Sequence, residues 1–260
     1  ERLGAQLKQT RRQADLILGN NVFAHVPDIN DFVKGLKLAL APGGTITLEF
    51  PHFMQLIQQR QFDTIYHEHF SYLSLTSVQR IFAANQLSVF DVELLPTHGG
   101  SLRVYAQRKD CGQFDVSARV TELLQAEHDA GMTNPAFYAD FQVQANQVKN
   151  DFVAFLIDAK RAGKSVAAYG AAAKGNTLMN YAGIRPDLIA FVADRNPAKQ
   201  GRFMPGSRIP IKGEEQLKSL QPDYVVIFPW NLKHELGRQL AYIQAWNGRL
   251  VTAVPHLEVL

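Results

Sequence analysis

The densest group of ionisable side chains in this chain lies between positions 61 and 72, in the run QFDTIYHEHFSY. The run contains two histidines, two acids and two tyrosines, and Glu68 separates the imidazoles of His67 and His69. Histidine titrates near neutral pH, and a neighbouring carboxylate can orient its ring and adjust its basicity. The run therefore predicts a proton-transfer site, although a surface loop rich in histidine would have the same composition.

A metal site is the second interpretation of these histidines. Alternate side chains of an extended segment point the same way, so His67 and His69 could bind one ion, with His25 or His52 as a third ligand. The chain has no HExxH spacing, and tyrosines are not needed for such a site. We therefore favour proton transfer and expect no metal in this chain.

Length and composition favour a folded enzyme of ordinary make-up. The 260 residues are 46% hydrophobic and 20% charged, which is enough for one large or two ordinary domains. The net charge of +3 is too small to indicate a nucleic-acid partner. One cysteine, Cys111, excludes an internal disulfide and a thiolate-rich zinc site. Because no apolar run is long enough to cross a bilayer, we expect a cytoplasmic protein without a membrane partner.

The elements that must hold these residues alternate between strand and helix over the first 112 residues. Apolar and β-branched runs predict four strands, over 14–21, 45–50, 88–95 and 102–107. The first is apolar enough to be a buried parallel strand. Apolar periodicity predicts one helix that begins after Pro27-Asp28 and is stopped by Pro42-Gly43-Gly44, and another over 78–84. This order is typical of one end of an open α/β sheet.

Polar residues follow the first predicted strand, namely Asn20, Asn21 and His25. Ligands of open α/β sheets bind beyond the carboxyl ends of the strands, so these side chains are candidates for a ligand site. The turn at 97–100 contains His98 and joins the last two strands. It could present backbone N–H groups to a ligand, or it could be an ordinary Gly-Gly hairpin turn.

The remainder predicts a helical connector over 113–163 and a second α/β domain over 164–260. Its predicted strands are 165–170, 188–193, 224–228 and 249–254, with a helix over 232–246. The small-residue turn at 171–177 precedes a helix and contains Lys174. This turn predicts either a phosphate contact or tight alanine packing. Asp194 ends the next strand, where an acid could bind a ribose or cap the turn.

The longer motifs resemble one family, the sugar C-methyltransferases that act on nucleotide-activated deoxysugars. They are EFPH at 49–52, DTIYHEHFSY at 63–72, PTHGGSLR at 96–103, VAAYGAAAKGNT at 166–177, DRNP at 194–197 and FPWNL at 228–232. Two further motifs, NNVFAHVPD at 20–28 and PGG at 42–44, resemble the segment after the fourth strand of class I S-adenosylmethionine methyltransferases and the next element of that fold. Together these motifs extend over nearly the whole chain.

The resemblance implies the second half of a class I methyltransferase (Rossmann-like) sheet over 1–112, the helical connector over 113–163, and a C-terminal Rossmann-like α/β domain over 164–260 that anchors a nucleotide-sugar. It implies S-adenosylmethionine as cofactor. The family's zinc cysteines, glycine-rich first loop and acidic second strand do not occur here. We therefore expect the chain to be the C-terminal portion of a longer protein, with zinc only in the missing N-terminal domain and poor cofactor binding by residues 1–260 alone.

The resemblance also implies roles for individual residues. His69 matches the proposed base and Glu68 the group that orients or tunes it, while Tyr66, His25 and Asn21 match pocket positions that hold the sugar or its enolate. Asn20 and Asn21 are the candidate cofactor contacts. The candidate substrate contacts are His98, Tyr169, Lys174, Asn176, Asp194 and Arg195.

The implied function is methyl transfer from S-adenosylmethionine to C3 of a dTDP-4-keto-deoxyhexose through an enolate generated by His69, in deoxysugar biosynthesis. Two alternatives remain open, a methyltransferase acting on another keto substrate and a nucleotide-sugar binding module without catalysis. The histidine run favours an enzyme, because a binding module has no need of a base. The oligomeric state cannot be derived from the sequence.

Overall fold

The computed structural model describes residues 1–260, and the chain divides into two compact units. The N-terminal unit comprises Glu1–Gln58 and His67–Ala139, and the C-terminal unit comprises Gln59–Tyr66 and Asp140–Leu260. The chain therefore leaves the first unit for eight residues, contributes Gln59–Tyr66 to the second, and returns at His67.

The N-terminal unit has a four-stranded sheet. Its strands are β1 (Ala14–Asn20), β2 (Leu40–Pro51), β3 (Leu87–Leu95) and β4 (Ser101–Arg108). Its helices are α1 (Arg2–Gln9), α2 (Ile29–Ala39), α3 (Phe53–Gln58), α4 (Leu75–Ala84), α5 (Ala118–Asp129) and α6 (Ala136–Ala139). The spatial order is β1-β2-β4-β3, in which β1 and β2 are parallel and the other pairs antiparallel. The predicted open α/β sheet that ends in a hairpin is confirmed.

Local chemistry sets the helix ends of this unit. Asp28 accepts the backbone N–H of Asp31 at 2.9 Å and so caps α2 at its predicted start. The prediction that Pro42-Gly43-Gly44 stops α2 is wrong. The helix ends at Ala39 and β2 begins at once, so the triplet lies inside the strand, where the pairing with β1 shifts register. Gly43 has a φ of 78°, and such an irregularity needs a residue that tolerates a left-handed backbone.

The strand β1 lies at the sheet edge and pairs only with β2. Leu16 and Leu18 are 55% and 68% exposed, so the prediction of a buried strand is wrong. The core of this unit includes Phe23, whose ring centroid lies 5.7 Å from that of Phe50 and 5.9 Å from that of Phe82.

The C-terminal unit has a six-stranded sheet. Its strands are β5 (Val166–Tyr169), β6 (Val192–Ala193), β7 (Ile211–Lys212), β8 (Tyr224–Ile227), β9 (Arg249–Thr252) and β10 (Glu258–Val259). Its helices are α7 (Phe141–Arg161), α8 (Ala173–Ala182), α9 (Glu215–Leu220) and α10 (Lys233–Gln239). The order is β10-β9-β8-β5-β6-β7, parallel except for β10. This parallel sheet with helical connections is Rossmann-like, as predicted.

Several boundaries differ from the prediction. The strand predicted at 188–193 is shorter in the structure, where β6 comprises Val192–Ala193. The helix predicted over 232–246 is divided into α10 and a 3-10 helix at Ala241–Trp246. The turn predicted to extend to Thr177 is shorter, because α8 already begins at Ala173.

The helices predicted between 113 and 163 are α5, α6 and α7. The first two belong to the N-terminal unit and the third to the C-terminal unit. Separate roles for 1–112, 113–163 and 164–260 stay a prediction. No helix of the chain is both long and apolar enough to cross a membrane.

Candidate active site

The carboxyl end of β1 begins the candidate site. Asn20 is the last residue of the strand and Asn21 follows with a φ of 54°, a left-handed conformation that asparagine tolerates better than most residues. The backbone N–H of Asn21 donates to the Glu49 carbonyl at 2.9 Å, which holds this turn against β2. The short 3-10 helix Phe23–His25 comes next, with Phe23 buried and His25 half-buried.

The structure brings His25 and His69 together. Their ring centroids are 4.7 Å apart at an interplanar angle of 71°. The backbone N–H groups of Phe70 and Ser71 both donate to the Ala24 carbonyl, at 2.8 and 3.2 Å, and so fix the segment that carries His69 against the 3-10 helix. These contacts join two motifs that are far apart in the sequence.

Glu68 contributes its backbone to this pair. Its carbonyl oxygen lies 3.1 Å from Nδ1 of His25. A carbonyl can only accept, so Nδ1 of His25 carries the proton and Nε2 holds the lone pair of the neutral ring. The side chain of Glu68 is exposed. The expected tuning of His69 by this carboxylate stays a prediction, and the contact that the structure displays is instead from its carbonyl to His25.

Aromatic side chains flank His69. The Tyr72 ring lies 5.9 Å from it at an interplanar angle of 76°. Tyr66, the other tyrosine of this run, is assigned to the C-terminal unit, whereas His67 onward belongs to the N-terminal unit. The candidate base therefore lies shortly beyond the point at which the chain passes from one unit to the other.

His98 meets Asn21 in the same unit. The Asn21 amide donates to Nε2 of His98 at 2.7 Å, which leaves the proton of the neutral ring on Nδ1. His98 lies in a 3-10 turn with a φ of 57°, and both side chains are exposed. Asn21, predicted as a catalytic and cofactor contact, and His98, predicted as a substrate contact, thus share one hydrogen bond.

A row of three charged residues, Glu49, Arg103 and Glu93, supports this end of the sheet, and none of the three is among the predicted site residues. Asn20, Glu49, Arg103 and Glu93 occupy matching positions on β1, β2, β4 and β3. Arg103 donates to Glu49 at 2.8 Å and to Glu93 at 3.1 Å. The bond to Glu49 raises the pKa of Arg103. Glu49, 5% exposed, also accepts from Thr97 at 2.8 Å and so holds the turn that carries His98. The sequence does contain one signal for Glu49, because it is the only acid in the otherwise apolar strand sequence TITLEF at 45–50.

His52 has a structural partner, Glu127 on α5. The two side chains are fully buried, and Nε2 of His52 lies 2.8 Å from the carboxylate. Glu127 also accepts the backbone N–H groups of Leu75 and Thr76, at 2.6 and 2.8 Å, which caps α4. Burial opposes ionisation, yet these hydrogen bonds hold the pKa of Glu127 below its ordinary value. His52 is therefore not placed as a third metal ligand, and no three histidine, cysteine or acidic side chains converge to hold an ion.

In the C-terminal unit, Lys174 lies in the first turn of α8. Its ammonium donates to the Asn231 side chain at 2.8 Å and lies 4.2 Å from the centre of the Trp230 ring. The Trp230 indole N–H donates to Asp63 at 2.7 Å. Burial lowers the pKa of Lys174 to about 8, against the opposing charge of Asp63. Burial likewise raises the pKa of Asp63 to about 6, against the charge of Lys174 and the Trp230 hydrogen bond.

Asp194 closes the turn between β5 and α8. Its carboxylate accepts the backbone N–H of Ala171 and of Asn196, both at 2.8 Å, and the Lys199 ammonium at 3.2 Å. Of the two interpretations, the turn cap is the one with contacts in the structure. Asn176 lies nearby in α8, and its buried Oδ1 has no hydrogen-bond partner.

Arg195 and Tyr169 meet at Glu214. The guanidinium of Arg195 donates to this carboxylate at 2.8 Å, and the hydroxyls of Tyr169 and Tyr242 donate at 3.1 Å. Burial opposes ionisation, but these donors hold the pKa of Glu214 below its ordinary value. Tyr169 is 5% exposed, so its ring belongs to the core while its hydroxyl reaches the cluster. Glu214 is not a predicted site residue.

Comparison with known proteins identifies the family. Residues 96–255 match the model of the C-methyltransferase C-terminal domain, and residues 4–92 match a methyltransferase domain model. The chain is 34% identical to C-methyltransferase NovU of Streptomyces niveus over 258 residues, which are 99% of this chain and 61% of the relative. The chain thus spans about three fifths of the length of that relative.

Solved structures give weaker likenesses. The DhpI–SAH complex has a TM-score of 0.27 at 18% identity, over 37% of this chain and 48% of its own. A mutant 16S rRNA (adenine(1408)-N(1))-methyltransferase with SAM from Catenulisporales acidiphilia has a TM-score of 0.27 at 20% identity, over 36% and 49%. TM-scores this low do not indicate a shared overall fold. The match over 96–255 covers more than half of the chain and agrees with the resemblance carried by its motifs, and the chain therefore belongs to the C-methyltransferase family.

Proposed function

We propose that the protein transfers a methyl group from S-adenosylmethionine to carbon, at C3 of a dTDP-4-keto-deoxyhexose, in deoxysugar biosynthesis. A carbon beside a ketone becomes nucleophilic when a base removes its proton and the negative charge moves to the ketone oxygen. The observation that carries this proposal is the contact of His25 with His69 beside the carboxyl end of β1, in a chain of this family. Another keto substrate is the alternative.

In this proposal His69 removes the proton from the carbon next to the ketone. The C–H electron pair becomes the enolate, and the proton stays on the imidazole of His69. His25, with its ring oriented by the Glu68 carbonyl, and Asn21 supply hydrogen bonds to the sugar or to the developing oxyanion. Tyr66 is the further candidate donor to the sugar. The enolate carbon would then accept the methyl group that bound S-adenosylmethionine supplies, and the new C–C bond would form as the sulfur–methyl bond breaks.

S-adenosylmethionine, when bound, supplies an activated methyl group on a sulfonium and needs no acid to leave. Asn20 and Asn21 would hold part of it. Both amides are exposed at the carboxyl end of β1, and each can donate and accept hydrogen bonds, which suits the polar groups of such a molecule. The chain's own contribution is then to place the reacting carbon and to move one proton.

The C-terminal unit supplies the proposed anchor for the nucleotide-sugar. Its strand order changes direction between β5 and β8, which is where ligands of such sheets bind. Lys174 follows β5 and offers an ammonium at the start of α8. The exposed Arg195 offers a guanidinium at the same edge of the sheet. Tyr169, Asn176 and Asp194 are the further candidate contacts, through the hydroxyl, the unpaired Oδ1 and the carboxylate.

The deciding experiment incubates the full-length protein with S-adenosylmethionine and a dTDP-4-keto-deoxyhexose. We expect one methyl group on the sugar by mass spectrometry, assigned to C3 by NMR. Exchange of the C3 proton with D2O in the presence of S-adenosylhomocysteine should report on the base alone. Methylation of a different keto compound, with none on the nucleotide-sugars, would favour the alternative substrate.

A further inference from the structure

Asp63 is a buried acid outside the site described above. It lies in the 3-10 turn Phe62–Thr64 of the segment Gln59–Tyr66 and is 1% exposed. One carboxylate oxygen accepts the Trp230 indole N–H at 2.7 Å, and the other has no hydrogen-bond partner. A buried carboxylate is costly unless a charge compensates it, and that charge is the ammonium of Lys174.

Trp230 is bonded on its edge and covered on its face. Its N–H reaches Asp63, while the ammonium of Lys174 lies over the ring. The indole follows β8 and the lysine follows β5, two neighbouring strands of the sheet. At this point Gly170 has a φ of 90°, and a Cβ there would lie 2.6 Å from Pro229. The chain is therefore closely packed beside the two partners of Asp63, at the carboxyl edge of the sheet.

The rest of the segment Gln59–Tyr66 is also fixed within the C-terminal unit. Phe62 is part of its largest hydrophobic cluster and packs against Tyr181 with ring centroids 5.3 Å apart. The Thr64 hydroxyl donates to the Gln61 carbonyl at 2.7 Å. Only Tyr66, His67 and Glu68 then separate Ile65 from His69, whose far side is fixed by the bonds of Phe70 and Ser71 to Ala24.

We propose that Asp63 is a positioning residue for the base. The cluster of Asp63, Trp230 and Lys174 fixes the N-terminal end of the segment that carries Tyr66, Glu68 and His69, and so limits through the chain where the proton acceptor can lie. This proposal rests on the proposed function of His69. A displacement of about 1 Å at a reacting group can lower the rate about a hundredfold. A loss of the contacts of Asp63 that shifts His69 by this distance would therefore slow proton removal.

The test replaces Trp230 by Phe in the full-length protein, which removes the donor to Asp63 and keeps an aromatic face for Lys174. The control is Trp246→Phe, because the Trp246 indole N–H also donates, to the Pro222 carbonyl at 3.1 Å, in the same unit. We expect Trp230→Phe to lower kcat and C3 proton exchange in D2O by about 10- to 100-fold, with little change in the KM of the nucleotide-sugar. Trp246→Phe should leave both rates as in the wild type.

A second pair of variants, Asp63→Asn and Asp63→Ala, distinguishes a loss of positioning from a loss of folding. Asp63→Asn keeps an oxygen that can accept from Trp230, and Asp63→Ala does not. We expect Asn to retain most of the exchange rate and Ala to behave like Trp230→Phe. Wild-type exchange in Trp230→Phe, or equal losses in Trp230→Phe and Trp246→Phe at matched thermal stability, would overturn the positioning role. A wild-type protein that neither exchanges nor methylates would instead contradict the proposed function.

Discussion

The contact between His25 and Glu68 assigns different tasks to neighbouring residues of the histidine run. The carbonyl of Glu68 fixes the tautomer of His25, and any residue at position 68 offers a carbonyl. The imidazole of His69, in contrast, is the group whose chemistry the proposed reaction needs. At the scale of single residues, the site therefore predicts a large effect at His69 and a small one at Glu68.

Replacing His69 by Asn in the full-length protein should lower kcat by about 10²- to 10⁴-fold, the usual contribution of a general base. The KM of the nucleotide-sugar should change little, because only the step that needs a proton acceptor is affected. Steady-state kinetics with the dTDP-4-keto sugar measures both constants. Glu68→Gln is the matched control: it keeps the carbonyl and should lower kcat only slightly. Equal losses in the two variants would mean that the carboxylate of Glu68 takes part in the reaction.

Lys174 provides a test of the nucleotide-sugar anchor. Lys174→Met keeps the apolar stem over Trp230 and removes the charge. If the ammonium contacts the diphosphate, the KM of the nucleotide-sugar should rise about tenfold or more, since a charge-assisted hydrogen bond contributes about 1.5–3 kcal/mol. The kcat at saturation should fall less than it does in Trp230→Phe, because the hydrogen bond from Trp230 to Asp63 is kept and a diphosphate contact is shared by ground and transition states. A lower melting temperature with an unchanged KM would assign Lys174 to packing alone.

At the scale of elements, the segment Gln59–Tyr66 should make stability depend on pH. The pKa of Asp63 is about 6 in the folded protein, above its ordinary value of 3.8, because the side chain is buried. Between these two pH values the folded state therefore binds more protons than the unfolded state. The contribution of Asp63 to the free energy of unfolding is fully present below pH 3.8 and is lost as the pH rises through about 6. A difference of about two pKa units corresponds to about 3 kcal/mol.

Urea unfolding of the wild type and of Asp63→Asn across this pH range isolates the contribution. The free energy of unfolding of the wild type should fall relative to the variant by about 3 kcal/mol between about pH 4 and 7. If the free energies of unfolding of the two proteins change with pH in parallel, the pKa of Asp63 is not raised by burial.

The elements that can be predicted from the sequence are those with a strong local pattern. The strands β3 and β4 lie close to their predicted bounds, because apolar alternation and flanking turns mark them. The strand β7 has two residues and no such pattern, so tertiary pairing alone defines it. The triplet Pro42-Gly43-Gly44 is misleading because its usual local meaning, a helix stop, is overridden by pairing with β1.

The candidate site divides in the same way. His25, Glu68 and His69 can be found because their residue types are suited to proton transfer and their motifs resemble a family. Asp63 lies inside the same run, but its role has no sequence signal, because its partner Trp230 is 167 residues away and its burial is a property of the fold. Long-range pairing and burial leave no local signature in a single sequence.

At the scale of the whole molecule, the chain passes between its two units at 58/59, 66/67 and 139/140. The histidine run is divided by the second of these crossings. Residues 59–66 should consequently share the stability of a unit whose other residues begin at Asp140, while residues from His67 onward share the stability of the N-terminal unit. Native-state hydrogen exchange distinguishes the two, because amides that open together exchange with the same free energy.

Two matched core substitutions test this division. Val226 on β8 is 1% exposed and lies in the hydrophobic cluster that includes Phe62, and Val104 on β4 is fully buried in the N-terminal unit. Val→Ala at either position removes two buried methyl groups and should cost about 2 kcal/mol. Val226→Ala should speed exchange of the amides of Thr64 and Ile65, which donate to Gln61 and Phe62, and leave those of Phe70 and Ser71 unchanged. Val104→Ala should do the reverse. Because the two substitutions are chemically identical, acceleration of both pairs of amides by either variant would show that the histidine run opens as one piece.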